Sequence, residues 1–224
     1  SMKNMKLIAA GIFAGFIVST TLPSAASANI IDTTYGAGAG SFELGGQSGA
    51  AFDSLAPGST AITGWTVGGP GDGVDWLSQP SFNASAGSLS VDLQSFFASS
   101  ISTVISTVIG QTYQLTFDST AVAPLQQAGT LSAGSLTGQA FVPAYGGAFG
   151  SQVYEAFMFE FDAIGTSTTI TFSADDTCCG GATYGPVIDN VSVVASVAVP
   201  APSGLAILGL GLAGLGFARR RRAA

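Results

Sequence analysis

Acidic side chains are the residues of this chain that could carry out catalysis, because hydrolysis of a glycosidic bond needs only two carboxyl groups at a suitable separation. The sequence contains 13 Asp and Glu residues. Glu155 and Glu160 are an odd number of positions apart, so a continuous strand would place them on opposite faces of a sheet. Glu160 and Asp162 share a face, but it lies opposite a stripe of phenylalanines and is predicted to face water. The pattern predicts solvated acids rather than a hydrolytic pair.

The residue types that the chain lacks exclude several kinds of chemistry. There is no His, so neither a Ser-His-Asp nor a Cys-His nucleophile can be assembled. The six basic residues lie at the two ends, at Lys3, Lys6 and 219–222, and none lies between them. The intervening chain therefore cannot neutralise phosphate groups, and we expect no nucleic-acid partner. An intrinsically anionic partner would also be repelled by the acidic residues.

Cys178 and Cys179 are the only cysteines, and they are adjacent. An exported protein meets an oxidising environment, which favours a disulfide. Along an extended backbone the Cβ vectors of neighbouring residues diverge, but the two glycines that follow mark a turn in which a vicinal bridge would fit. We expect a vicinal disulfide, with free thiols or intermolecular links as the alternatives.

Aromatic side chains offer a second route to a ligand, because an exposed ring can stack on a sugar at small cost in conformational entropy. Trp65 and Trp76 flank a glycine-rich turn, and Tyr184 lies in a predicted loop. These three are the candidate ligand-binding residues. The alternative is that both tryptophans anchor the core, because large aromatic side chains are mostly buried.

The elements that must position these residues are short strands. Polar and apolar residues alternate through 112–117, 157–162 and 169–173, which is typical of strands with one face in a core. The segment 101–109 also has isoleucines at helical spacing, but its β-branched content favours a strand. The region 125–150 lacks a clear period and is predicted to be a loosely ordered insertion or a hairpin. The strand pattern predicts an all-β sandwich or barrel.

The N-terminus has the pattern of a secretory signal peptide. Lys3 and Lys6 precede the apolar run 7–18, and a small-residue cleavage site follows at 26–28. Residues 1–28 are therefore predicted to be removed on export. The β-domain is predicted to span residues 29–198.

The C-terminal tail, residues 199–224, combines a Pro-rich motif, the apolar run 204–218 and an arginine cluster. Together with the motif, the apolar run is just long enough to cross a hydrocarbon core of about 30 Å as a transmembrane helix. The arginines would then stay in the cytoplasm. The tail resembles a PEP-CTERM sorting signal, with Ala201 where the namesake motif has glutamate. The residues that carry the resemblance are Val199, Pro200, Pro202, Ser203, Arg219, Arg220, Arg221 and Arg222.

This resemblance implies a route through the cell envelope. Such tails are substrates of an exosortase-type processing enzyme in Gram-negative bacteria. The chain would be anchored transiently in the inner membrane and then reach the cell surface or the extracellular matrix. An ordinary single-span anchor is the alternative.

The predicted strands resemble the choice-of-anchor C family of exported bacterial proteins. Seven short motifs occur in the family's order, from Ser41-Phe42-Glu43 to the last strand at 184–193. The resemblance implies a jelly-roll β-sandwich of the galactose-binding-like type, related in shape to many carbohydrate-binding modules. In such modules an early Phe-Glu segment and a late Asp often meet at a structural calcium site, and the matching residues here are Glu43 and Asp189. The alternative is that these acids cap turns or face solvent. The other five motifs are 64–67, 74–77, 88–93, 110–117 and 165–172.

Together these features predict an exported, non-catalytic surface or matrix protein that interacts with neutral polysaccharide. The alternatives are a structural or adhesive envelope protein without a defined ligand, or a two-carboxylate glycan-active enzyme. Structural calcium is the one cofactor that the sequence suggests.

Overall fold

In a computed structural model of the chain, the described residues are 27–124, 126–175 and 184–196. They begin with helix α1 (Ile30–Tyr35) and continue in antiparallel strands. The strands are β1 (Phe52–Leu55), β2 (Thr66–Gly68), β3 (Val74–Ser78), β4 (Leu89–Asp92), β5 (Ser100–Ser106), β6 (Thr112–Ala121), β7 (Gly129–Ala133), β8 (Leu136–Phe141), β9 (Glu155–Asp162), β10 (Ser167–Ala174) and β11 (Pro186–Ala195).

The strands form two sheets. The six-stranded sheet has the order β1-β3-β4-β11-β6-β9, and the five-stranded sheet has the order β2-β5-β10-β7-β8. Consecutive strands alternate between the sheets at several points, so each sheet buries one face against the other. The predicted all-β sandwich is confirmed.

The core lies between the sheets and is rich in aromatic side chains. Phe117 of β6 contacts Phe172 of β10 with ring centroids 4.9 Å apart, and it also packs against Phe141 and Phe157. Replacing a buried phenylalanine by alanine typically costs about 3–5 kcal/mol of unfolding free energy. Packing across the two sheets therefore supplies a large part of the stability.

The sequence patterns located most of these strands. Segment 100–106 is a strand, as its β-branched residues indicated, and the region after 125 contains the β7–β8 hairpin. In β9, Phe161 is buried whereas Glu160 is exposed, which confirms that the acids of this strand face away from the core.

Helix α1 was not part of the sequence prediction, because six residues are too few to show a helical period. Asn29 holds this helix to the last strand. Its side-chain carbonyl accepts hydrogen bonds from the amides of Ile31 (3.2 Å) and Val193 (3.0 Å), and its side-chain amide donates to the carbonyl of Val191 (3.0 Å). One residue therefore both caps the helix and joins it to β11.

Within the three described ranges, no helix has the length and hydrophobicity needed to span a membrane. The predicted signal peptide up to residue 26, the sorting tail with its transmembrane helix, and Cys178 and Cys179 lie outside the described residues.

Candidate functional site

The outer face of the six-stranded sheet carries aspartates between strands that are otherwise apolar. Successive side chains of a strand point to opposite faces. Val74 and Trp76 of β3 enter the core, so Asp75 points outward. By the same alternation Val91 of β4 is in the core and Asp92 points outward.

These outward aspartates form two cross-strand pairs. Asp75 of β3 is directly opposite Asp92 of β4, and Asp118 of β6 is directly opposite Asp189 of β11. Like charges directly opposite each other in a sheet are destabilising. Each pair therefore needs hydrogen-bond donors, and the two pairs obtain them differently.

The Asp118–Asp189 pair receives its hydrogen-bond donors from the protein itself. Asp189 is completely buried, and its Oδ2 accepts hydrogen bonds from the amides of Ser85 (2.7 Å) and Ala86 (2.8 Å). The Ser85 hydroxyl lies 3.1 Å from this oxygen and 2.8 Å from Oδ2 of Asp118. The backbone amide of Asn190 donates to Oδ1 of Asp189 (2.6 Å). The side-chain nitrogen of Asn190 donates to Oδ2 of Asp118 (3.0 Å).

Burial raises the pKa of Asp189 to about 7, although the amides of Ala86 and Asn190 and the Ser85 hydroxyl oppose this shift. The Ser85 hydroxyl has one proton and cannot donate to both carboxylates at once. Protonation of Asp189 would supply the missing proton between the two groups. Asp189 is therefore expected to change charge near neutral pH.

Glu43 holds the other end of the same segment. Its Oε1 accepts hydrogen bonds from the amides of Ser88 (2.8 Å) and Leu89 (2.7 Å), and its Oε2 accepts one from the Ser88 hydroxyl (2.9 Å). Gly87 has a φ of 69°, and a Cβ at this position would lie 2.5 Å from Cδ of Glu43. We call segment 85–89, with Glu43, Asp118 and Asp189 that hold it, the clamped loop.

The clamped loop contains both residues of the predicted calcium site, Glu43 and Asp189. Glu43 and Asp189 do act on one segment, but their oxygens accept backbone N–H groups there. Among the residues that the structure describes, no group of three or more Asp, Glu, Cys or His residues could hold a metal ion. Calcium binding by this pair stays a prediction.

The Asp75–Asp92 pair opens onto a cleft instead. Oδ1 of Asp75 accepts a hydrogen bond from the Ser54 hydroxyl (2.6 Å), and Oδ1 of Asp92 accepts from the amides of Gln94 (3.0 Å) and Gly185 (2.9 Å). Among the described residues, neither Oδ2 accepts a hydrogen bond. Both aspartates line a cleft of about 250 Å³.

Asp92 is only 3% exposed at the base of this cleft. Burial raises its pKa well above the ordinary value, and the charge of Asp75 adds to the increase. The amides of Gln94 and Gly185 oppose it. A buried carboxyl beside a second carboxyl is costly to ionise unless a cation or further donors approach it.

The walls of the cleft are aromatic. Phe82 contacts Phe149 with ring centroids 4.8 Å apart, and Phe149 contacts Tyr184 at 5.1 Å. Phe96 is 62% exposed, Phe52 is 47% exposed, and both line the same cleft. Grouped exposed aromatic side chains around a concavity with a few polar groups are typical of a binding site. We call this feature the aromatic cleft; it is lined by Phe52, Ser54, Asp75, Leu77, Phe82, Asp92, Ser95, Phe96, Phe149 and Tyr184.

Of the three aromatic residues singled out from the sequence, one lies in the cleft. Tyr184 contributes to its wall, but Trp65 and Trp76 are only 2% and 1% exposed. Their indole nitrogens donate to the carbonyls of Ala39 (2.8 Å) and Phe42 (3.2 Å). The expectation that the tryptophans are stacking platforms is therefore wrong, because they are core residues that fix the segment leading to Glu43.

The sequence analysis missed Asp92 and the phenylalanines of the cleft. Aspartate is depleted in strands, so an Asp between the apolar residues Val91 and Leu93 is a signal that could have found this position. The exposed rings offered no such signal, because an exposed and a buried phenylalanine look alike in a sequence.

Several carbohydrate-binding modules are among the solved structures that are similar to this chain. A family 35 module from Clostridium thermocellum is 11% identical and has a TM-score of 0.44, covering 59% of this chain and 92% of that one. The CBM35 module of Cellvibrio japonicus Abf62 is 14% identical with a TM-score of 0.43, covering 67% and 93%. TmCBM61, solved with β-1,4-galactotriose, is 18% identical with a TM-score of 0.41, covering 59% and 88%. No curated protein matches the chain.

Two family models match the sequence itself. The PEP-CTERM protein-sorting motif matches residues 198–222, which confirms the resemblance of the tail and indicates export and sorting to the surface. The resemblance to choice-of-anchor C proteins stays a prediction. A second model, described as Protein of unknown function (DUF642), matches residues 38–194, more than half of the chain. This chain therefore belongs to the DUF642 family.

Proposed function

We propose that this protein is an exported, non-catalytic glycan-binding protein of the cell surface or extracellular matrix. The observation that carries the proposal is the aromatic cleft, in which exposed rings surround two carboxyl groups whose Oδ2 atoms accept no hydrogen bond from the described residues. The ligand is a polysaccharide without anionic groups, because the acids of the cleft repel negative charge.

The cleft offers both contacts that sugar recognition needs. The exposed faces of Phe52, Phe96 and Phe149 can stack on the apolar face of a pyranose ring. The Oδ2 atoms of Asp75 and Asp92, which no described residue contacts by a hydrogen bond, can accept hydrogen bonds from sugar hydroxyl groups. Pockets for small molecules start at about 300 Å³, so this smaller cleft suits one unit of a polymer that continues over its rim.

In this proposal, the signal peptide and the sorting tail direct the binding domain out of the cytoplasm. Residues 1–28 are removed as a signal peptide, residues 29–198 form the binding domain, and residues 199–224 are recognised by an exosortase in a Gram-negative inner membrane. After processing, the released domain keeps all 13 acids and no basic residue. This charge favours neutral or cationic polymers over anionic ones.

A purified sample of the full chain, tested against immobilised polysaccharides, gives the direct measurement. The matched variants are Phe96→Ala, which alters the cleft, and Phe97→Ala, which alters an adjacent ring of similar exposure that does not line it. Loss of one stacked ring costs about 0.5–1.5 kcal/mol, so we expect affinity to fall about two- to tenfold for Phe96→Ala only. Equal affinities of both variants, or no binding to any polysaccharide, would overturn the proposal.

Hydrolysis is the second candidate function, since directly opposite residues of two strands have Cβ atoms about 4.5–5.5 Å apart and retaining glycosidases hold their two carboxyl groups about 5–5.5 Å apart. Asp75 and Asp92 have this register, and Asp92 has the raised pKa expected of a general acid. However, Asp92 is buried, and two backbone amides donate hydrogen bonds to its Oδ1. Both features limit the approach of this carboxyl group to a glycosidic oxygen. Release of reducing ends from a bound polysaccharide, lost in Asp92→Asn, would establish the enzyme instead.

A further inference from the structure

We infer that the aromatic cleft selects a sugar unit with a protonated amino group, such as a glucosamine residue, and binds its ammonium between Asp75 and Asp92. The inference rests on the proposed glycan-binding function and names the class of sugar. Three independent observations support it. They are the paired carboxyl groups at the base of the cleft, the lack of basic residues between positions 7 and 218, and the aromatic walls of the cleft.

The base of the cleft is a pair of carboxyl groups, each with one oxygen that accepts no hydrogen bond from the described residues. Asp75 and Asp92 are directly opposite in register, and the hydrogen bonds they accept from described residues all end on Oδ1. The Oδ2 atoms therefore remain for a ligand. An ammonium group has three N–H donors and a positive charge, so it can bridge both carboxyl groups and favour the ionised form of Asp92.

The chain between residues 7 and 218, which includes every residue that the structure describes, has no basic side chain. All six Lys and Arg residues lie at positions 3, 6 and 219–222, and the chain has no His. In the Asp118–Asp189 pair, by contrast, Ser85 and Asn190 donate hydrogen bonds to the acids. A positive charge at the Asp75–Asp92 pair must therefore come from outside the domain.

The walls favour an organic cation over a metal ion. Phenylalanine rings offer no oxygen ligands, whereas calcium takes six to eight oxygens. An ammonium group near the faces of Phe52, Phe149 or Tyr184 gains cation–π attraction, and the pyranose ring that bears it gains stacking. A neutral sugar gains only the stacking contact and no cation–π attraction.

Calorimetric titration of the full chain with three β-1,4-linked oligosaccharides of equal length tests the inference. The probes are oligomers of glucosamine, N-acetylglucosamine and glucose. A charge-assisted contact to a buried carboxylate favours the glucosamine oligomer by about tenfold or more over the other two. The preference is expected to shrink as the salt concentration rises, because screening weakens charge attraction.

Two variants with the same change in charge separate the cleft from the general acidity of the chain. Asp75→Asn keeps an acceptor for the Ser54 hydroxyl and is expected to lose the preference for glucosamine while still binding the neutral oligomers. Glu160→Gln removes an exposed charge on β9, at the opposite edge of the sheet, and is expected to keep the preference. The melting temperature of each variant shows whether it is folded, and Asp92→Asn serves as a second cleft variant.

The outcomes distinguish the inference from the proposed function. Equal affinity for the three oligomers would overturn the selection of charge and leave glycan binding intact. Binding of none of them would overturn the inference, and the polysaccharide screen described above then decides glycan binding separately. Calcium binding that is lost in Asp75→Asn and that displaces the glucosamine oligomer would make the pair a metal site and overturn the inference as well.

Discussion

The two aspartate pairs on the outer sheet face form a natural comparison. Asp118 with Asp189, and Asp75 with Asp92, are each directly opposite in register. The first pair is covered by segment 85–89 of the clamped loop: the amides of Ser85 and Ala86 donate to Oδ2 of Asp189, and the Ser85 hydroxyl contacts Oδ2 of both aspartates. From the described residues, the second pair receives one donor on Asp75 and two on Asp92, and it opens onto the aromatic cleft.

The difference shows that the same cross-strand arrangement can serve stability or ligand binding. Oxygens that backbone amides already occupy hold a loop in place and gain little from a ligand. Oxygens that face a cleft remain costly to bury until a ligand supplies donors. The position of one loop therefore decides which pair is structural.

Asp189→Ala is expected to give the largest loss of stability. The change removes the acceptor for three backbone amides, those of Ser85, Ala86 and Asn190, and each unsatisfied buried donor costs about 1–3 kcal/mol. Partial release of the loop to water moderates the sum, so we expect a loss of about 3 kcal/mol in urea unfolding. Asp53→Ala, at an acid that holds only the exposed Ser48 turn, is the control. A loss below about 1 kcal/mol at Asp189 would contradict the structural role of this pair.

The pH dependence of stability should reflect the same carboxyl group. The folded pKa of Asp189 is about 7 and lies above the unfolded value of about 3.9, so the folded state holds more protons between these limits. The unfolding free energy contributed by Asp189 is therefore full below pH 4 and is lost as the pH rises through 7. Asp92 shifts in the same direction. We expect the melting temperature to be a few degrees higher at about pH 5 than at about pH 8.

Replacing Asp189 by Asn gives the control for this effect. The pH dependence between about 5 and 8 should become flatter, because Asn does not titrate, and the remaining slope reports Asp92. A melting temperature that rises with pH in the unaltered protein would contradict the assignment.

Glu43→Gln should cost less than Asp189→Ala, because the amide keeps one acceptor oxygen. Hydrogen bonds to a charged group contribute about 1.5–3 kcal/mol and neutral ones about 0.5–1.5 kcal/mol. We therefore expect a loss of about 1 kcal/mol, measured by urea unfolding, with glycan binding unchanged because Glu43 does not line the cleft. Weaker glycan binding in this variant would show that the clamped loop and the cleft are coupled.

Calcium is expected to have the smallest effect. The oxygens of Glu43 and Asp189 already accept amide N–H groups, so calcium at the predicted site should raise the melting temperature only slightly, and a chelator should lower it only slightly. A ligand that binds only the folded state would raise stability with its concentration. A rise in melting temperature with calcium concentration that is lost in Glu43→Gln would support the calcium site that the resemblance to jelly-roll modules implied.

Much of the fold could be predicted from the sequence because it depends on local patterns. The alternation of residues 112–117 and 157–162 placed β6 and β9 and assigned Phe161 to the core and Glu160 to solvent. The candidate site was harder to predict. Trp65 and Trp76 were candidate platforms beside a glycine-rich turn, and only their packing between the sheets shows that they are core residues.

The sequence alone determined the alternation of the strands, the lack of His and of central basic residues, and the sorting motif at the C-terminus. Each of these depends on composition or on neighbours along the chain. The tertiary structure alone decided that Asp75 is opposite Asp92 and that Ser85 covers Asp189 but leaves the other pair open. The physical reason is distance along the chain: Ser85 and Asp189 are 104 positions apart, and only the pairing of strands brings such residues together.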